Sequence, residues 1–168
     1  DYTDYTEGIR LNSIRVIRAS LLFPLAVSSA TMTLMNKPVS EYLTFQKPIL
    51  ILILVVGFLR LGLSLAGVPN SSVKWISVTA VALIGIVYCA VQVPRTGFGT
   101  YRHLFPLYWV QAVIGNSIIC GAIVLAILTG TDNIYSVPEY SPTGDGRTWF
   151  HVMAHALDGL FIGPVFGW

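Results

Sequence analysis

The chain has 168 residues, of which 54% are hydrophobic and 11% charged, with a formal net charge of +2. So few polar groups cannot keep a soluble domain of this size in water, so the composition predicts an integral membrane protein built as a single bundle. No run of Lys or Arg is dense enough to track a phosphate backbone, which excludes a nucleic-acid partner.

The N-terminus, with Asp1, Asp4 and Glu7 ahead of Arg10, lacks the basic start and small-residue cleavage site of a signal peptide, so no removed targeting segment is expected. The first predicted span is Ile14–Met35, with Arg15 and Arg18 reaching back to the interface and Pro24 kinking its upper half. Pro48 opens the second, Ile49–Ala66, which is interrupted only by Arg60 and Ser64. The turn Gly67–Val73 is short enough to require an antiparallel third span, Lys74–Val93, ended by Pro94. A basic loop then leads to Pro106 and a fourth span, Pro106–Leu128. Thr129–Arg147, with three acidic residues and several Pro and Gly, reads as an exposed loop. The fifth span runs from Thr148, a candidate N-cap, to Trp168. The predicted fold is therefore an all-α, polytopic bundle of about five transmembrane helices.

Tryptophan checks these boundaries independently, because its ring favours the headgroup layer. Trp75, Trp109, Trp149 and Trp168 all fall near ends assigned from hydropathy and proline. Arg10, Arg15, Arg18, Lys74 and Arg147 on one side, against Lys37, Lys47, Arg95 and Arg102 on the other, lean toward a cytoplasmic N-terminus. Cys89 and Cys120 fall on different helices at different depths and read as buried small residues without a disulfide.

Ionisable residues at membrane depth cost at least about 2.5 kcal/mol each on insertion scales, so each marks a partner or a cavity. His151, His155 and Asp158 stand at i, i+4 and i+7 on the last helix, within about 60° of one another. Counted from the membrane face holding the N-terminus, Arg60 and the segment His155–Asp158 share one level, so an Arg60–Asp158 ion pair is geometrically possible where helices two and five are neighbours. The fourth helix adds Asn116, Ala112 and Cys120 on one face and Gln111 on another, and Gly159 and Gly163 give the fifth a small-residue stripe. Interhelical packing explains these residues without further chemistry.

Two imidazoles at i, i+4 with a carboxylate one turn on can also hold zinc, so His151, His155 and Asp158 form a candidate metal site and hydrolytic centre. The pair His151 and His155 resembles the last-helix His-x-x-x-His of the seven-helix progestin receptor and alkaline ceramidase superfamily of membrane hydrolases. That family requires a further His on an early helix. Here the remaining histidine, His103, lies in the third loop on the opposite face, and five spans are read instead of seven, so membership is not assigned.

Four functions follow from this pattern. The leading one is a helical subunit of a larger membrane assembly, paired with other membrane subunits or with copies of itself, whose His/Asp/Arg locus fixes helix pairing. The others are a zinc-dependent intramembrane hydrolase, an accessory subunit binding a haem or chlorophyll shared with a partner, and a proton-coupled transporter or oligomeric channel. A bis-His haem within the chain is excluded, because His151 and His155 sit one turn apart on one helix. Retinal is disfavoured because no lysine lies deep in the final helix.

Overall fold

Proline, glycine and side-chain caps set the ends of three helices that are long and apolar enough to cross a membrane. The structure, a computed structural model, describes residues 33–140, 144–163 and 165. The expected first span, 14–35, lies outside these residues except at its end. There Thr33–Leu34 (β1) pairs antiparallel with Lys37–Pro38 (β2), and Met35 and Asn36 turn with positive φ. A helix reaching Met35 is thus replaced by a tight hairpin, whose turn needs two left-handed residues.

Helix α1 (Val39–Phe45) buries Tyr42, whose hydroxyl donates to the Leu34 carbonyl at 2.9 Å. Only Gln46 separates it from α2 (Lys47–Leu65), which carries Pro48 in its first turn, where the missing N–H has no intrahelical acceptor to lose. A single turn, α3 (Asn70–Val73), precedes α4 (Val78–Arg95). This helix starts four residues later than Lys74, the predicted start, because Ser77 caps it by accepting the Ala80 amide at 3.2 Å. A 3₁₀ turn, Tyr101–His103, leads into α5 (Leu104–Thr129), with Pro106 again in the first turn and Gly130 closing the helix at φ 72°. Thr148 caps α6 (Trp149–Leu157) by accepting the His151 amide at 3.1 Å, as the sequence predicts. The chain then continues as a π-helical turn, Asp158–Ile162, so the described α-helical part of the fifth expected span is nine residues long.

Helix α5 lies at the centre, touching α1, α2, α4 and α6. The largest difference from expectation is the loop 129–147, whose centre is buried: Asn133, Ile134, Tyr135 and Ser136 are each under a tenth exposed. Side chains satisfy its backbone. Asn133 Oδ1 accepts the Tyr135 amide at 3.0 Å, Ser136 Oγ the Asn133 amide at 2.9 Å, and Ser64 Oγ the Ile134 amide at 2.9 Å. Asn133 Nδ2 donates to the Ala122 carbonyl at 2.8 Å. With these groups paired, Ile134 and Tyr135 can join Val73, Ala122 and Ile123 in one apolar cluster. Arg147 closes the loop, its Nε 3.1 Å from Asp132 Oδ1 and its guanidinium donating to the Gly130 carbonyl.

Asn133→Ala removes both ends of this anchoring and should lower unfolding stability in detergent by about 1–3 kcal/mol, measured by denaturant titration. Thr131→Ala, at an exposed position of the same loop, should change it by less than about 0.5 kcal/mol.

Candidate functional site

Asn116 stands midway along α5, roughly 18–20 Å from either end at ~1.5 Å per residue. Its amide nitrogen donates to the Ala112 carbonyl at 3.1 Å and approaches Asp158 Oδ2 at 3.5 Å, while its Oδ1 lies 3.0 Å from His155 Nδ1. Since the nitrogen faces two acceptors, Oδ1 must accept, and His155 must carry its proton on Nδ1. Asn116 thus joins two residues of α6 and its π-helical extension to the middle of α5.

That approach depends on glycine. A Cβ on Gly159 would fall 2.6 Å from Asn116 Cβ, so the π-helical turn can rest against α5 only without one. The turn itself re-aims the chain at Asp158, an irregularity that recurs at functional positions. Two further contacts tie the same helices together: Cys120 Sγ donates to the Val152 carbonyl at 3.4 Å and Trp109 Nε1 to the Leu160 carbonyl at 3.1 Å.

His151 is buried, with Nδ1 2.8 Å from the Gly146 carbonyl, and its ring centroid lies 5.0 Å from that of His155. The first two predicted ligands are therefore neighbours. Both use Nδ1 on protein acceptors, and among the described residues no group of three or more His, Cys, Asp and Glu side chains is placed to hold a metal ion. His151, His155 and Asp158 share a helix face without converging on one point.

Arg60 is not part of this locus. Its guanidinium lies over the Tyr135 ring, 4.9 Å from the centroid, and Tyr135 donates its hydroxyl to the Gly57 carbonyl at 3.2 Å. Burial pushes the Tyr135 phenol up, with the Arg60 charge acting in the opposite direction. The Arg60–Asp158 ion pair that a shared level allows is not formed: the ion pairs among the described residues are Lys37–Glu41 and Arg147–Asp132. The buried loop supplies the partner that counting along helices cannot supply.

A cavity of about 170 Å³ opens between α4, α5 and the π-helical turn, lined among others by Thr79, Tyr108, Gln111, Asn116, His155 and Asp158. Gln111 therefore shares a site with Asn116, although the two were expected on different faces. Helix α5 is surrounded, so the cavity wraps more than one of its faces. Gln111 Nε2 donates to Gln46 Oε1 at 2.8 Å, whereas its own Oε1 is buried without a partner. Sequence reasoning missed Thr79 and Tyr108. Their one signal was polarity within otherwise apolar helices.

Comparison with protein-family models, with curated proteins and with solved structures finds no match, so the functional reading rests on this geometry.

Nitrogen NMR of the histidine side chains tests the site's central bond. His155 should show its proton on Nδ1, and Asn116→Leu should shift the population to the Nε2 tautomer; an unchanged spectrum would mean that Asn116 does not set it.

Proposed function

We propose that this chain is a helical subunit of a larger membrane assembly, held together internally by the Asn116, His155 and Asp158 locus. The observation that carries the reading is the outward surface of the spans. In their most apolar stretches only 17%, 22% and 28% of Lys47–Leu65, Asn70–Arg95 and Tyr101–Thr129 is buried, so most of each faces the surroundings. A bilayer accounts for a convex apolar face. It accounts less well for the groove of about 610 Å³ between α2 and α5, walled by Leu54, Phe58, Leu61 and Leu125 and floored by Ser117 and Gly121.

Ser117 and Gly121 are exposed, one helical turn apart, and a Cβ on Gly121 would meet nothing within 4 Å. Small residues on an outward transmembrane face let a neighbouring backbone come close, and van der Waals packing then drives association in lipid. A helix from another subunit is the occupant that uses this shape. The five-crossing topology with a cytoplasmic N-terminus belongs to the same proposal, supported by the apolar sequence 14–35 and by the apolar outward face of α6 with Trp149, Phe150 and Met153.

The other three readings receive less from the geometry. Among the described residues no ligand set converges for a zinc hydrolase, and a cavity of about 170 Å³ lies below the ~300–1,000 Å³ range of sites for drug-sized ligands, too small for a macrocycle. A proton relay through the locus would have to cross the Asn116 amide, which holds its neighbours in place without a titratable proton to pass on.

Gly121→Ile fills the groove floor and should convert the assembled form to the free chain in native mass spectrometry from nanodiscs. Leu83→Ala, on the outward face of α4, should leave it intact. A wild-type chain that is already alone in those spectra would overturn the proposal.

A further inference from the structure

We infer that the break before α4 is a notch in the outer surface, where the bilayer thins and the phosphate of a phospholipid seats on Lys74. The inference rests on the reading of the bundle as membrane-spanning, and is separate from assembly and from the α2–α5 groove. Depth, polarity and charge carry it.

Depth follows from which residues lie side by side. Val78, the first residue of α4, packs at the middle of α5: a Cβ on Gly115 would lie 3.5 Å from Val78 Cγ1, and Val78 clusters with Ile118. Val73, the last residue of α3, clusters instead with Ala122 and Ile123, nearer the end of α5. The connection Lys74–Ser77 therefore descends from about 9 Å off the midpoint of α5 to the midpoint itself, at ~1.5 Å per residue. The helices beside it reach further out. Gly57 is level with Ile118, and α2 continues from there to Leu65, roughly 12 Å away.

The surface changes character at this break. Leu65, Leu128 and Phe150, at the same end of the bundle, are apolar and exposed, as contact with hydrocarbon requires. Around the break, Ser71, Ser72, Lys74 and Thr79 are exposed, beside Trp75 at 82%. A hydrocarbon core of ~30 Å, about 15 Å to each side of its midplane, would submerge this patch if it kept its thickness here. Lysine and tryptophan together mark the headgroup layer instead.

The charge stays at the level of the break. Lys74 folds its ammonium over the Trp75 ring, 5.5 Å from the centroid, and the ion pairs among the described residues, Lys37–Glu41 and Arg147–Asp132, do not include it. A lysine submerged in hydrocarbon is costly, and a headgroup drawn down to it removes that cost. Phosphate is the anion a phospholipid brings, and it forms a charge-assisted hydrogen bond with an ammonium. Thr79 also lines the Asn116 cavity, so water in the notch stands at that cavity's mouth.

Two spin labels test the notch. Trp75→Cys and Phe150→Cys are labelled in a chain lacking Cys120, with Cys89 buried, and power saturation in nanodiscs compares contact with oxygen and with a water-soluble nickel chelate. Cys120 donates to the Val152 carbonyl, which sets Phe150 near the level of Val73 and farther from the midplane than Trp75. Position 75 is thus the deeper by helix counting and the shallower if the notch exists. The chelate should dominate at 75 and oxygen at 150. Oxygen dominant at both positions would overturn the inference, and so would exclusion of both reagents at 75, which would put protein there. The chelate dominant at both would overturn it together with the crossing of α6. A second measurement needs no cysteine change. In native mass spectrometry from nanodiscs containing phosphatidylglycerol, Lys74→Gln, at an exposed position, should retain about fivefold less of that lipid than wild type, and Lys74→Arg as much. Retention unchanged in Lys74→Gln would overturn the phosphate contact.

Discussion

A primary amide at the midpoint of an apolar helix has no water to turn to, and Asn116 meets that constraint by drawing another helix onto α5. One of its donors returns to the Ala112 carbonyl on its own helix, but its oxygen and second donor direction face His155 and Asp158. Satisfying them fixes the rotation of α6, selects a tautomer of His155 and demands glycine at 159, where a side chain would strike Asn116. The apolar contacts of the bundle allow many helix rotations, and the polar ones admit few. The cavity beside this locus follows from the same arrangement, because the π-helical turn that presents Asp158 stands off from α4 while resting on α5.

A second polar centre sits in the loop after α5. Asn133, Ser136 and Ser64 pair the backbone of a segment that dips into the bundle, and Tyr135 at its tip meets Gly57 and Arg60. This centre holds Arg60 over the Tyr135 ring. Two opposite charges at one predicted depth therefore remain apart. The outer surface obeys a different rule: apolar residues cover most of what is described of it, and in the groove between α2 and α5 the small residues Ser117 and Gly121 interrupt them.

The three long helices were legible because hydropathy and proline report directly on length and on the first helical turn. Pro48 and Pro106 lie in the first turns of α2 and α5, and Thr148 caps α6. The buried loop was not legible. Its composition of Gly, Pro and acidic residues is that of an exposed connection, and only Ile134 and Tyr135, set between Asn133 and Ser136, hint at an apolar tip with its own caps. Candidate residues fared according to how local their partners are. His151 and His155 share a helix face and do meet. Asn116 reads from the sequence as an interhelical packing residue and in the fold is the bridge to His155, because its role depends on which helix lies beside α5. Arg60 was placed with Asp158 by depth alone, and depth does not carry azimuth.

The seating of α6 on α5 depends on the coupling between Asn116 and His155. A double-mutant cycle of Asn116→Ala and His155→Ala, read by reversible unfolding in lipid or detergent, measures it directly. A coupling of roughly 0.6–1.7 kcal/mol, between the average and the largest value for interhelical hydrogen bonds in membranes, is the predicted result. Strictly additive losses would contradict it, leaving the two side chains as independent packing residues and α6 held to α5 by apolar contact alone.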